Sequence, residues 1–528
     1  MSESSGGTGQ PVRILALVPH EPTLDPRVGW VMELCADVAR TEVVACVQGS
    51  RLPDREYDGR LSIERIDPLQ FLTPREVEIL IRGRVIARAG HSVWTALLHF
   101  QDAVLKGAWR LISGTINLVG LGRLLGPALY RAKERLRRAV WGERLTEVAL
   151  PSPGNIEDVE QAAAGEGDDT TEQGGPSGIR EGEAGDDPPQ PVPGQRRSRF
   201  REVLRELYLV SRPLYRRARA SCPIPALVVC NDLHGLLGAS RLKRQFGCQI
   251  IYDTHELWPE AFRAHQRFWE KLCISLLERR AIRHVDVVVA VTPQIAEEYR
   301  RRYRPPTVLS VPNAEPWMDN PAPSFGAPQS RPLRVLLQGQ VAPGRGIRRL
   351  LRQWRDLDVE GVVFILRCVP NDFASNLKRE FRDMVEHGKL TFPAPVTRLI
   401  EAASEADVGV IPYPGPSLNH LYACPNKLAQ YMQAGLAILN NSDQLFVSGM
   451  VNSYACGLTF ELDDPDSLRR AVAQLVSDPA GLAEMKRRSF EATRFEFNWS
   501  VQSRPLRAAI QQAMASRLAT QIPERTCE

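Results

Sequence analysis

Short runs of branched apolar residues alternate along the chain with longer stretches whose apolar positions recur every three or four residues, a pattern that predicts an α/β protein. Val12–Val18 gives way after Pro19 to the helical pattern RVGWVMELCADVAR and then to Val43–Val47, a β-α-β opening. Further strand-like runs fall at Ala226–Cys230, Gln249–Tyr252, Asp286–Val291 and Thr307–Val311. A second set follows at Leu333–Gln338, Val362–Leu366, Val408–Ile411 and Ala437–Leu439. Runs apolar at every position belong to strands covered on both faces, hence to parallel sheets. The proline-rich stretch Pro321–Pro332 separates the two sets, so two Rossmann-like doubly wound domains facing across a cleft are expected.

The expected divisions are a first part of the N-terminal domain over 1–150, including a helical stretch at 76–145, and an insertion over 151–198. The second part of that domain is expected over 199–318, a linker over 319–332, the C-terminal domain over 333–498, and a closing helix and tail over 499–528. The insertion carries eleven acidic residues between Glu157 and Asp187 among Gly and Pro, too little apolar surface to fold by itself. Within the helical stretch, Leu111–Gly122 is too short to span a bilayer. With Arg131, Lys133, Arg135, Arg137 and Arg138 it leaves room for a helix lying on anionic lipid; the plainer reading is a helix packed on its own domain.

Composition narrows the class. With 43% hydrophobic and 24% charged residues the 528-residue chain suits a globular protein. The net charge of +5, from 67 basic and 62 acidic residues, gives no ground for a nucleic-acid partner. Ten cysteines without a C-x-x-C pair suggest neither a zinc module nor a disulfide framework, and point to a reducing cytoplasm. The N-terminus lacks the basic and long apolar regions of a secretory signal, and no run of about 18 uncharged apolar residues occurs. The expected location is therefore cytoplasmic, with the inner membrane face left open.

Two segments carry chemistry. In LRVLLQGQVAPGRGIRRLL a strand runs through Gly339, Gly344 and Gly346 into a helix, and such a loop aims free amides at an anion. Arg345 adds a positive charge there, although turns at sheet ends need glycine in any case. In ADVGVIPYPGPSLNHLYACPNKLAQYMQAGL a helix is expected from about Pro425 to Gln433. A cation in its first turn, Lys427, opposes the helix dipole unless an anion is bound beside it. The alternative for Lys427 is a solvated side chain.

These motifs, in this order and with P-N-K-x-x-x-Y-M-x-A-G-L, resemble the donor domain of retaining GT-B glycosyltransferases of family 4. CNDLHGLLGASRLKRQFGCQIIYDTHELWPE, VVAVTPQIAEEY and VPNAEP resemble that family's acceptor half. The resemblance implies a hexose moved from a nucleoside diphosphate sugar to a glycan or lipid-linked acceptor, without an essential metal or other cofactor. It places the donor on Gly339, Gly344, Gly346, Tyr422, Pro425, Asn426 and Gln430, with Arg345 and Lys427 steadying the leaving diphosphate. Asp232, His255 and Glu256 fall on the acceptor side; Asp232 alternatively caps the helix after it, and His255 alternatively caps its own loop. The Asp356–Asp358 pair is set aside as a metal motif.

The chain also departs from the family. Tyr422 and Gln430 stand where two glutamates are usual, Gln340 where an arginine follows the first glycine, and Asn231 where a histidine often precedes Asp232. The missing carboxylates motivate a second expectation, a catalytically silent GT-B scaffold in polysaccharide assembly; an epimerase on the same architecture is a third.

Overall fold

The computed structural model describes residues 13–22, 25–47, 55–71, 73, 196–221, 225–261, 268–319, 323–326 and 331–521. The helical stretch expected at 76–145, with its interfacial reading, and the acidic residues before 196 lie outside them. Arg196–Ser221 is helical, so the range expected for the insertion runs three residues too far.

The first sheet has eight strands in the order β3-β4-β2-β1-β5-β6-β7-β8. They are β1 (Ile14–Val18), β2 (Thr41–Cys46), β3 (Arg55–Asp58), β4 (Leu61–Ile66), β5 (Leu227–Asn231), β6 (Gln249–Thr254), β7 (Val287–Ala290) and β8 (Thr307–Ser310). Every pairing is parallel except the hairpin of β3 with β4. The second sheet is wholly parallel, in the order β11-β10-β9-β12-β13-β14. Its strands are β9 (Leu333–Gly339), β10 (Val362–Cys368), β11 (Leu390–Thr391), β12 (Val408–Ile411), β13 (Ala437–Asn441) and β14 (Gly457–Phe460). Both sheets belong to one compact unit. In each, the strand order reverses beside the first strand of the set, β1 or β9, and a doubly wound sheet opens its ligand crevice there, at the carboxyl edge.

The last helix among the described residues, Arg504–Gln521, returns to the first sheet. Leu506, Ile510, Ala513 and Met514 share a buried cluster with Trp30, Leu34 and Leu227, and Arg507 pairs with Asp37 at 2.7 Å. Trp499 packs against Trp30 with the rings tilted, 5.5 Å between centroids.

At the amino edge of the second sheet the fully buried Asp407 is held by the fork of Arg331 (2.7 and 3.0 Å), by the Arg334 amide at 3.0 Å and by the buried Lys486 at 3.3 Å. At the opposite edge Asn371 caps the helix Asp372–Glu380 by accepting from the Ala374 amide at 2.8 Å, while its own amide donates to Val341 O at 2.9 Å. One side chain thus fixes both a helix start and the glycine-rich loop. Asn371→Ala is expected to cost about 1 kcal/mol, read as a lowered denaturation midpoint with unchanged slope.

Candidate functional site

Gly339 ends β9 with φ +98°, and Gly344 and Gly346 follow at +80° and +71°, left-handed backbone that a side chain would strain. A Cβ on Gly339 would lie 2.9 Å from Lys427 Nζ, so the lysine reaches from its own helix to the tip of β9. That helix spans Asn426–Gln433. Pro425 stands just before it in extended conformation rather than as its first residue. No side chain caps the helix start, and Asn426 Oδ1 is buried without a hydrogen-bond partner. The free amides, the N-terminal dipole and Lys427 together make a place for an anion.

Gly346 is packed tightly: a Cβ there would come 2.3 Å from Pro412 O and 2.8 Å from Leu462 Cδ2. This presses the loop onto the end of β12 and sets the Arg345 guanidinium 5.1 Å from the Tyr413 ring centroid. Arg345 and Lys427 therefore both stand at the carboxyl edge of the second sheet. Arg345 also acts on the first domain, its charge opposing the upward shift of Glu256. Burial, and then Arg345, hold His420 below the ordinary histidine range, so it is neutral at pH 7.

Across the gap, the ends of β1, β5 and β6 meet in one polar network. The Arg27 guanidinium, 1% exposed, forks onto the fully buried Asp253 at 2.6 and 3.1 Å and donates to Val311 O at 2.7 Å and Asn313 Oδ1 at 3.1 Å. His255 sits between two carboxylates, 3.3 Å from Asp253 and 3.4 Å from Asp25. Burial opposes its charge, but Asp232, Asp25 and Asp253 together keep it an imidazolium well above the usual range. Burial pushes Asp25 up and the two histidines His255 and His20 pull it down further, to about 2.

Asp232 is the first residue of the helix Asp232–Phe246, at φ +57°, and it does not cap that helix: Asn231 is the cap residue, and Asp232 Oδ1 accepts from the His255 amide at 3.4 Å. Strain of this kind in a non-glycine residue at a sheet's carboxyl edge persists only where the surroundings enforce it. Behind it His234 packs edge-on to Trp258, 5.3 Å between centroids, and burial takes its pKa down to about 4.

Glu256, partly exposed, is tied to the second domain. Asn419 donates to its carboxylate and accepts from the Leu257 amide at 2.7 Å, while Ser417 Oγ donates to Glu260 O at 2.8 Å and hydrogen-bonds His420 Nδ1 at 2.8 Å. These bonds join the two domains across the cleft. Burial and then Asp232 raise the Glu256 pKa, against the hydrogen bond from Asn419.

Of the two positions where glutamates are usual in the resembling family, Gln430 is held by the segment between the domains. Gln430, 8% exposed, donates to Glu315 Oε1 at 2.8 Å in the segment between the domains, and Gln433 bonds that segment at Pro316 O and the Met318 amide. Tyr422 follows the short helix Leu418–Leu421 and lies within electrostatic reach of Arg301. Sequence reasoning singled out the loop and the lysine that meet at this edge and did not single out Asp25, Arg27, Asp253, Asn419 or Glu315.

A consequence follows for Gln430→Glu, which would set two carboxylates in contact. Burial already raises the Glu315 pKa, the present amide opposing that rise. In the variant both folded-state pKa values lie above their unfolded ones, so the penalty is absent below about pH 4.5 and grows as pH rises. Destabilisation of about 1–2 kcal/mol at pH 8, shrinking toward pH 5, is expected in denaturation at the two pH values.

Residues 161–314 match the family described as glycosyl transferase 4-like domain. No curated protein sequence matches the chain. Among solved structures, sucrose-phosphate synthase from Thermosynechococcus elongatus is similar at 14% identity and a TM-score of 0.55, over 96% of this chain and 100% of that one. The α,α-trehalose 6-phosphate synthase from Burkholderia multivorans is similar at 11% identity and a TM-score of 0.52, over 98% and 100%. The fold is α/β of the GT-B type, two Rossmann-like domains facing across a cleft.

Proposed function

We propose that the chain is a glycosyltransferase that moves a hexose from a nucleoside diphosphate sugar to a glycan or lipid-linked acceptor with retention of configuration. The observation that carries this reading is Lys427 lying over the end of β9 beside an uncapped helix start, with Arg345 on the same sheet edge. When the bond from the anomeric carbon to the phosphate oxygen breaks, charge gathers on the departing diphosphate, and these cations and the loop amides are placed to hold it. The acceptor oxygen forms the new bond and its proton passes to the leaving phosphate. His255, already protonated between two carboxylates, does not serve as the base. Asp232 binds the acceptor, and neutralisation of the diphosphate rests on side chains and amides without a metal.

Candidate UDP, GDP and ADP sugars are to be supplied with glycan and lipid-linked acceptors, with and without chelator. Release of nucleotide and a product of the donor's own anomeric configuration are expected, and chelator is expected to leave the rate unchanged. No release with any donor would overturn the proposal.

A second reading, a silent scaffold, is favoured by Gln430 being engaged with Glu315 outside the helix start. Calorimetry separates the two, because a chain that has lost its donor site gives no heat with UDP or GDP.

A further inference from the structure

The helix Phe268–Ile282 carries an outward stripe that the cleft does not use. Leu272 and Leu276, 45% and 56% exposed, are one turn apart, and Arg279 and Arg280 continue the same face with Arg283 just past the helix end, all three exposed. Exposed leucines in adjacent turns are not explained by the fold, whose core this helix meets on its other side. There Ile274, Ala281 and Ile282 are buried, and the fully buried Glu278 accepts hydrogen bonds from the hydroxyls of Tyr252 (3.2 Å), Tyr299 and Tyr303 (2.6 Å each). The stripe is therefore held rigidly.

Its charge is of one sign. Glu270 projects about 160° away from Leu272, and Glu278 points into the core. Arg279 donates to Arg302 O at 2.7 Å and lies against the Tyr303 ring, which leaves its charge at the surface. Burial first, then Arg244, Lys243, Arg280 and Arg283 hold the adjoining His284 below its ordinary range, so the basic field extends past the helix end. Asp286 in that area is taken by Lys243 at 2.7 Å.

We infer that this stripe is a docking surface for an anionic lipid bilayer, with Leu272 and Leu276 entering the headgroup boundary and Arg279, Arg280 and Arg283 meeting the lipid phosphates. Apolar side chains continued on one side by arginines, with no carboxylate on that stripe of the helix among the described residues, match an interface that is apolar within and negative at its rim, where each arginine adds to binding. The position suits a membrane-delivered substrate. Lys271 on the same helix pairs with Glu260 at 2.7 Å, and Glu260 O accepts the Ser417 hydroxyl that bridges the cleft.

The test is sedimentation of the full chain, without substrates, on vesicles of phosphatidylcholine alone or with about one-third phosphatidylglycerol. Binding at least about tenfold tighter to the anionic vesicles is expected, weakening in about 0.5 M salt. Leu272→Glu with Leu276→Glu, and separately Arg280→Glu with Arg283→Glu, are each expected to lose roughly tenfold or more of it. Unaltered melting curves confirm that the variants are folded, and the arginine pair, outside the core, serves if the leucine pair is not. Binding to neither vesicle, equal binding to both, or wild-type binding by the folded variants would overturn the inference. So would a leucine variant that only converts a dimer to a monomer.

Discussion

Arg27→Met is expected to destabilise the protein by about 3–5 kcal/mol, because it leaves Asp253 as a buried carboxylate without its guanidinium. The loss has three parts: the fork onto Asp253, the bond to Val311 O, and the bond to Asn313, which in turn donates to Cys424 O at 2.9 Å in the second domain. Removing both charges, as in Arg27→Met with Asp253→Leu, is expected to cost much less than the single change, since an absent pair incurs no desolvation penalty. The pH dependence has a definite sign. Asp253 and Asp25 are held below the ordinary carboxylate range, so their contribution is complete above about pH 4 and is lost in acid, that of Asp25 as pH falls through about 2. His255, held above its ordinary range, contributes below about pH 6.5 and loses that contribution as pH rises toward its folded value. Denaturant titrations at pH 3, 5 and 7 are expected to show the Arg27→Met deficit shrinking at the acid end. A deficit that stays constant, or a double variant no better than the single one, would show that Arg27 acts by packing alone.

That network was not legible from the sequence, and the reason is distance along the chain. Arg27 and Asp253 are separated by 226 residues, and nothing local marks either as half of a pair. The available signal was a misfit: an arginine within the apolar pattern of the helix Pro26–Val38, and an aspartate inside the strand run QIIYDT. The continuous apolar strands could be read because burial on both faces leaves no polar positions to confuse the period. The β3–β4 hairpin escaped for the opposite reason, since REYD is the sheet's edge strand and LSIERI the strand beside it, and half of their ten residues are charged. Glu64 and Arg65 in β4 are bound by Arg217 and Glu21, partners only the folded chain supplies. β11 is two residues long, and β14 opens with Gly457 in a short GLTF run. Gly339, Gly346 and Lys427 were readable because backbone turns and a helix start leave local marks. The contrast extends to Gln430, whose partner Glu315 could not be inferred from a motif comparison.

Lys427→Ala and Arg345→Ala are each expected to lower kcat/KM for the proposed donor by about 10²–10³, the usual loss when one group that stabilises developing charge is removed. The two should not fail alike. Lys427 sits beside a free helix start and the end of β9, so the amides around it continue to attract a phosphate after the side chain is gone, and a lysine-to-arginine change at the helix should recover part of the rate. Arg345 is carried on a loop whose course depends on Gly346 fitting against Pro412 O, and it also acts on Glu256 across the cleft. Its loss should raise KM for donor and acceptor together, with Gly346→Ala reproducing much of that effect although it removes no charge. Steady-state kinetics with donor and acceptor varied separately would distinguish these outcomes. If Gly346→Ala left KM for both substrates unchanged while the protein kept its fold, the loop would not be positioning Arg345, and the arginine would have to act from solvent, where its effect would fall steeply with added salt.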